Sequence, residues 1–189
     1  MIRSVYTFLL YSMIFIPSLF FTELADRYSR HRKKYSMLLC SMIAIMLPVL
    51  LAGFRGEDVG TDVSVYATVE YANCMASSSI SHYLNSTSTD IGYAFIVALS
   101  AKIGKSFNWL LIITELLQVG TIYCVAYRLK ERTSMRSVML CYFLLEYVVG
   151  FNVMRQSIAA AFLLLCFVEA IYSRKKTALV CAIIAVTFH

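Results

Sequence analysis

The feature that most constrains this chain is a series of apolar runs close to twenty residues long, separated by short basic clusters. Residues 4–22, 36–54 and 107–127 are continuous apolar stretches. A hydrocarbon core about 30 Å thick needs about 20 residues of helix to cross it, and backbone polar groups in lipid must be satisfied within the protein. Runs of this length predict membrane-spanning α-helices. The chain is 60% hydrophobic and only 15% charged, whereas a soluble domain is about 25% charged. The expected fold class is all-α, a polytopic transmembrane helix bundle.

The other apolar regions need dividing. Residues 137–172 would extend for about 54 Å as one helix, too far for one crossing. The polar break "GFNVMRQ" at 150–156 splits this region into spans 137–151 and 156–172. The segment "IGYAFIVALSAKIG", 91–104, has an apolar part of only about ten residues, closed by Lys102 and Lys105, which suits a re-entrant or interfacial helix. The last run, 177–189, stops at His189 short of a full crossing. That predicts about five full spans, one short helix and a truncated last span. It also predicts a single membrane domain over 1–189 that is the front part of a longer protein, inactive as such a fragment.

Twelve of the 17 lysines and arginines fall in 27–34, 128–136 and 174–176. Lys and Arg accumulate in cytoplasmic loops, and treating 91–104 as non-crossing puts all three clusters on that side. The amino terminus, the outer loop 55–90, the break around 152–156 and the end near His189 then lie outside. The net charge of +6 is thus explained by membrane topology, and no nucleic acid is expected as a partner. The six cysteines have no metal-ligand or CxxC spacing. The first apolar run is too long for a signal peptide and lacks a small-x-small cleavage site, so it reads as a retained span.

On the outer side, Glu57, Asp58, Asp62, Glu70 and Asp90 accompany a single cation, Arg55. In "FRGEDVGTDVSVY", Gly56 and Gly60 allow tight turns that aim backbone N–H groups at a ligand. Arg55 offers a planar fork suited to phosphate, and Asp62 a carboxylate. A solvated acidic loop is the plainer explanation. In "FNVMRQSIAA", a helix would put Asn152, Arg155, Gln156 and Ala159 on one face. Arginine between apolar segments costs about 2.5–3.5 kcal/mol on insertion scales and normally faces a cavity, a partner or the interface. Arg155 could equally snorkel outward or pair with Glu146. Glu115 and Glu146 are candidate proton-relay carboxylates or partners for arginines. His189 ends its apolar run, where a lone histidine is more often a packing or interfacial residue than a base. Residues 77–90 read as a polar, turn-rich loop, in which Asn85-Ser86-Thr87 fits a glycosylation sequon.

The series "FRGEDVGTDVSVY", "DIGYAF", "FNVMRQSIAAAF" and a terminal "FH" resembles the EpsG family of multi-spanning bacterial proteins, the Wzy-like exopolysaccharide and O-antigen polymerases. The resemblance covers most of the chain in order. It implies polymerisation of undecaprenyl-pyrophosphate-linked oligosaccharide repeat units at the outer face of the cytoplasmic membrane. Arg55, Gly60, Thr61, Asp62 and Tyr66 match the first motif; Asn152, Arg155 and Gln156 match the second. Asp90 and Tyr93 stand where the family usually has E-x-G-Y, so the carboxylate here is one methylene shorter.

Such a transfer needs a cation where charge develops on the departing pyrophosphate and a base for the acceptor hydroxyl. The resemblance assigns Arg55 and Arg155 to the diphosphate and Asp62 or His189 to the hydroxyl. Asn152 and Gln156 orient the substrate, with Thr61, Tyr66, Asp90 and Tyr93 beside them. No soluble cofactor and no metal are expected. The expected partners are the lipid-linked oligosaccharide, the bilayer, and other polysaccharide synthesis or export proteins. The alternatives are a transporter or flippase for a lipid-linked or anionic solute, and a non-catalytic scaffold of an export complex.

Overall fold

The computed structural model describes the backbone of residues 2–189 and the side chains of residues 6–189. Its regular structure is helical. Among the described residues, four helices are long and apolar enough to cross a membrane: α1 (Ile2–Arg30), α2 (Lys34–Gly53), α6 (Asn108–Leu129) and α8 (Met154–Ile171). Between and after them come α3 (Thr68–Ala76), α4 (Ile80–Ser86), α5 (Ile91–Ile103), α7 (Met135–Leu145) and α9 (Lys175–Phe188). The chain is a multi-pass helical membrane bundle.

Helices in lipid associate through close packing and hydrogen bonds, because the solvent is as apolar as their side chains. The α1–α2 pair illustrates both. Ser18 and Ala44 are fully buried where these helices meet. Pro48 has no N–H to give to the carbonyl four residues earlier, and that carbonyl belongs to Ala44. Ser18 Oγ donates to it at 2.7 Å, so the proline leaves no orphan acceptor in lipid. The carbonyl of Pro48 itself accepts from the buried Tyr147 hydroxyl at 2.6 Å. Tyr147 meets Phe15 edge-on, while Phe15 stacks on Phe143 at 4.4 Å, docking α7 onto α1.

The three basic clusters share one end of the bundle. Arg30 donates to the Lys130 carbonyl at 2.6 Å, and Lys130 to the Ser29 hydroxyl at 2.5 Å. Arg128 and Arg174 both pair with the buried carboxylate of Glu169. The first helix runs eight residues past the expected end of its span, into the basic cluster. Its last turns are held by Glu23–Arg27 and Asp26–Arg30 pairs, each 3.1 Å, at the i,i+4 spacing that supports a helix. The cations there also suit the negative end of the helix dipole.

Both ends of α5 lie at the opposite end of the bundle. Its N-cap, Asp90, accepts from Arg155 in the first turn of α8. Past its other end, the Gly104 carbonyl accepts from Tyr71, and Asn108, first residue of α6, donates to the Gly53 carbonyl that ends α2. The segment therefore returns to the side it left. The polar stretch read as loop from 77 to 90 contains α4, capped by Ser79, whose side chain accepts from the His82 N–H at 3.1 Å. Glu70 on α3 accepts from Tyr83 and Thr87, fastening α4 to α3. Both helices are too short to show hydrophobic periodicity, so their sequence reads as loop.

Candidate functional site

The site is built where the chain leaving α2 meets the chain entering α8. Gly60 has φ +101°, and a Cβ there would stand 2.4 Å from the Phe151 carbonyl oxygen. Only glycine fits this left-handed residue and its contact. Thr61 and Asp62 are thereby laid along the start of α8. The Thr61 N–H donates to Asn152 Oδ1 at 3.1 Å, and the Thr61 hydroxyl to the Asn152 carbonyl at 3.3 Å. Asp62 Oδ2 accepts from the N–H of Met154, the first residue of α8, at 2.8 Å. A carboxylate on a helix N-terminus satisfies an unpaired N–H and opposes the dipole. Burial nevertheless raises the Asp62 carboxyl above its ordinary value, with that N–H and Arg155 pulling the other way.

Arg155 follows in the first turn of α8. Its Nη1 donates to Asp90 Oδ2 at 2.8 Å and to Thr89 Oγ1 at 3.3 Å. The guanidinium also faces the Tyr66 ring, 5.3 Å from its centroid. Tyr66 is carried by a π-helical turn, Val63–Ala67; such turns add a residue and re-aim side chains, and they recur at functional sites. The Arg155 and Asp90 side chains are 27% and 33% exposed, so the pair is open on one side.

Arg55 behaves differently. Its side chain is 6% exposed and turned into the bundle, where Nη1 lies 3.7 Å from Glu115 Oε2. The guanidinium sits over the Phe151 ring at 4.0 Å, with Nη2 3.7 Å from the Met154 sulfur. The sequence expectation put Arg55 beside the diphosphate. In the structure its guanidinium faces Glu115 of α6.

The expected single face of Asn152, Arg155 and Gln156 is also divided. The helix begins only at Met154, so Asn152 precedes it and holds Thr61. Gln156 lines a separate cavity of about 370 Å³ with Gln118, Tyr142 and Glu146. Glu146 is therefore not the partner of Arg155. Gly150 makes the break possible, since a Cβ there would fall 2.4 Å from Gln118 Nε2. Tyr93 is 1% exposed, in the core below the cluster. His189 is exposed. Its neighbours Thr187 and Phe188 pack on Gly92 and Phe162, so it emerges at the same end as Asp90.

Among the described residues, no group of three or more His, Cys, Asp or Glu is placed to hold a metal ion. Asp62 and Asp90 engage Met154 and Arg155 instead. Sequence reasoning missed Thr89, the Phe151 ring and the Met154 sulfur. None of these residue types signals a site by itself.

The model of the EpsG family matches residues 38–189. The chain belongs to the EpsG family. The matched stretch of this EpsG-family chain takes in every residue of the cluster, from Arg55 to His189, and leaves out α1. Comparison with curated proteins and with solved structures finds no match to either.

Proposed function

We propose that this chain polymerises glycan repeat units carried on a lipid pyrophosphate, as a membrane glycosyltransferase of exopolysaccharide, capsule or O-antigen synthesis. The observation that carries this reading is the half-open Arg155–Asp90 pair at the non-basic end of the bundle, within a family of Wzy-like polymerases. By the positive-inside rule that end is the outer face of a bacterial cytoplasmic membrane, and the amino terminus lies on it.

The acceptor hydroxyl attacks the anomeric carbon of the donor glycan. A glycosidic C–O bond forms, the bond from that carbon to the diphosphate oxygen breaks, and its electron pair leaves on the lipid diphosphate. Arg155 has one nitrogen engaged by Asp90 and Thr89, and its remaining donors meet the growing negative charge. Asp62 takes the hydroxyl proton, and its elevated pKa brings it closer to the range useful for a base at neutral pH. His189 is the other candidate for this role. Thr61, Asn152 and Tyr66 hold the two arginine-bearing segments in register, with Arg55 as a positioning residue beneath them. Tyr93 is proposed to support the cluster from the core beneath it, and Gln156 to orient the glycan from the cavity it lines. Other polysaccharide synthesis or export proteins are the expected neighbours.

The test is polymer length in cells carrying Arg155→Ala in the full-length protein. Normal insertion with single repeat units and no long chains supports the polymerase; long chains of ordinary length refute it. Loss of lipid-linked units from the outer surface would favour a flippase.

A further inference from the structure

We propose that the slot between α1 and α7 at the basic end of the bundle binds an anionic phospholipid, with its phosphate between Arg27 and Arg136 and an acyl chain along Phe20 and Ile16. This site is independent of the polymerase reading. Ile16, Phe20 and Leu24 of α1, with Glu23, Arg27 and Arg136, line a cavity of about 250 Å³. Ile16, Phe20, Leu24 and Arg27 recur at steps of three and four residues, so they form one stripe along the helix. The rise from Ile16 to Arg27 is about 16 Å, close to half of a hydrocarbon core about 30 Å thick. The stripe is therefore one leaflet long, apolar at its deep end and cationic at its rim. Ile16 and Phe20 are exposed, so the slot is open to lipid along its side.

The rim lacks an anion. Arg136 stands in the first turn of α7, just after the capping Ser134. Phe143 lies seven residues further on, hence on the same face, and it stacks on Phe15 of α1; Arg136 is thus turned toward α1. It is exposed and has no hydrogen-bond or ion-pair partner among the described residues. A cation at this end of a helix opposes the dipole, and no carboxylate in the first turn offsets it. Arg27 gives its Nε to Glu23 at 3.1 Å, which leaves its terminal nitrogens for a second anion. Two guanidinium forks from separate helices suit the oxygens of one phosphate.

Several other cations at this end are already engaged within the protein. Arg30 and Lys130 bridge the two basic loops, Arg128 and Arg174 share Glu169, and Arg132 lies over the Tyr172 ring at 5.3 Å. A basic rim above an apolar wall fits an anionic lipid of the adjoining leaflet; a soluble acidic segment would leave Ile16 and Phe20 uncovered. The lipid would join the basic ends of α1 and α7, beyond the Phe15–Phe143 stack. It would thereby tie α1, which lies outside the stretch matched by the family, to the rest of the bundle.

The experiment uses the full-length protein in phosphatidylcholine nanodiscs, titrated with phosphatidylglycerol that carries a photoreactive diazirine in one acyl chain. Labelling is expected on α1 between Ile16 and Leu24, and unlabelled phosphatidylglycerol, but not added phosphatidylcholine, should displace it. Arg27→Gln with Arg136→Gln should lower apparent affinity by about tenfold, equivalent to ~1.4 kcal/mol, and remove the rise in melting temperature that phosphatidylglycerol gives. If that double variant assembles poorly, Arg136→Gln alone should lower affinity by about threefold, half that free energy. Lys175→Gln with Lys176→Gln takes the same charge from the same end and should change neither readout. Labelling spread evenly over the lipid-facing helices, displacement by phosphatidylcholine, or an equal loss in the lysine variant would reduce the effect to general surface attraction and overturn the site. Undiminished labelling in the arginine variants would overturn it too. So would a dimer cross-linked through positions 27 and 136 without lipid labelling, which would give the face to a second copy of the chain.

Discussion

Arg155 and Asp90 lie 65 positions apart in the chain, yet their side chains meet at 2.8 Å, joining the first turn of α8 to the N-cap of α5. Because both are partly exposed, the pair contributes little to stability, about 0.2–1 kcal/mol for such ion pairs. Asp90→Asn should therefore shift the melting temperature only slightly. Its effect should fall on polymer length, because the arginine loses the carboxylate that aims it. A large loss of protein with no change in polymer per molecule would contradict this.

The buried pair should behave in the opposite way. Arg55 and Glu115 are 6% and 3% exposed, and removing one partner from such a pair strands a charge, typically at about 3–5 kcal/mol. Arg55→Met alone should reduce the amount of folded protein, measured by fluorescence size-exclusion in detergent. Arg55→Met with Glu115→Leu should recover most of it, since an apolar replacement of both is often neutral. A double variant as poor as the single would show that the arginine acts on something other than Glu115.

Gly60→Ala tests how the two motifs are joined. A left-handed residue with a Cβ costs roughly 1–2 kcal/mol, and this Cβ would also strike the Phe151 carbonyl. Thermal stability should fall by at least that much, and polymer synthesis with it, since Thr61 and Asp62 lose their place on α8. Wild-type stability would mean that the 55–62 segment is not laid along α8 in this way.

The helical membrane bundle, its four long apolar helices and the end at which the basic clusters gather were legible in the sequence because the demand behind them is local: every peptide group in lipid must be satisfied by near neighbours. The residues of the cluster were legible as motifs, but their pairings were not. Nothing near Arg155 names Asp90 as its partner in place of Glu146, and nothing near Arg55 announces that Glu115 will turn it inward. Those choices depend on how α5 and α6 pack. The helices α3 and α4 were hidden for a different reason, since at nine and seven residues they are set by a cap and by the Glu70 contacts and not by periodicity.

Acidity offers a check on the base. Burial raises Asp62 above its ordinary value of 3.8, so protonation switches it off at a higher pH than for a free carboxyl. The acid limb of the pH–rate profile should therefore lie above that value, and Asp62→Asn should lose both the limb and most of the rate. The sign for stability is the reverse of the usual carboxylate case: the folded chain holds the proton more tightly, so this group's contribution favours folding at low pH and declines as pH rises through the shifted pKa. An unchanged profile in Asp62→Asn would move the role to His189.

The most direct measurement is the release of free lipid diphosphate by the full-length protein reconstituted with lipid-linked repeat units. One diphosphate should appear for each glycosidic bond, and Arg155→Ala should slow both together by about 10²–10³-fold, the usual cost of removing a charge-stabilising donor. Polymer formed without diphosphate release, or at an undiminished rate in that variant, would contradict the account.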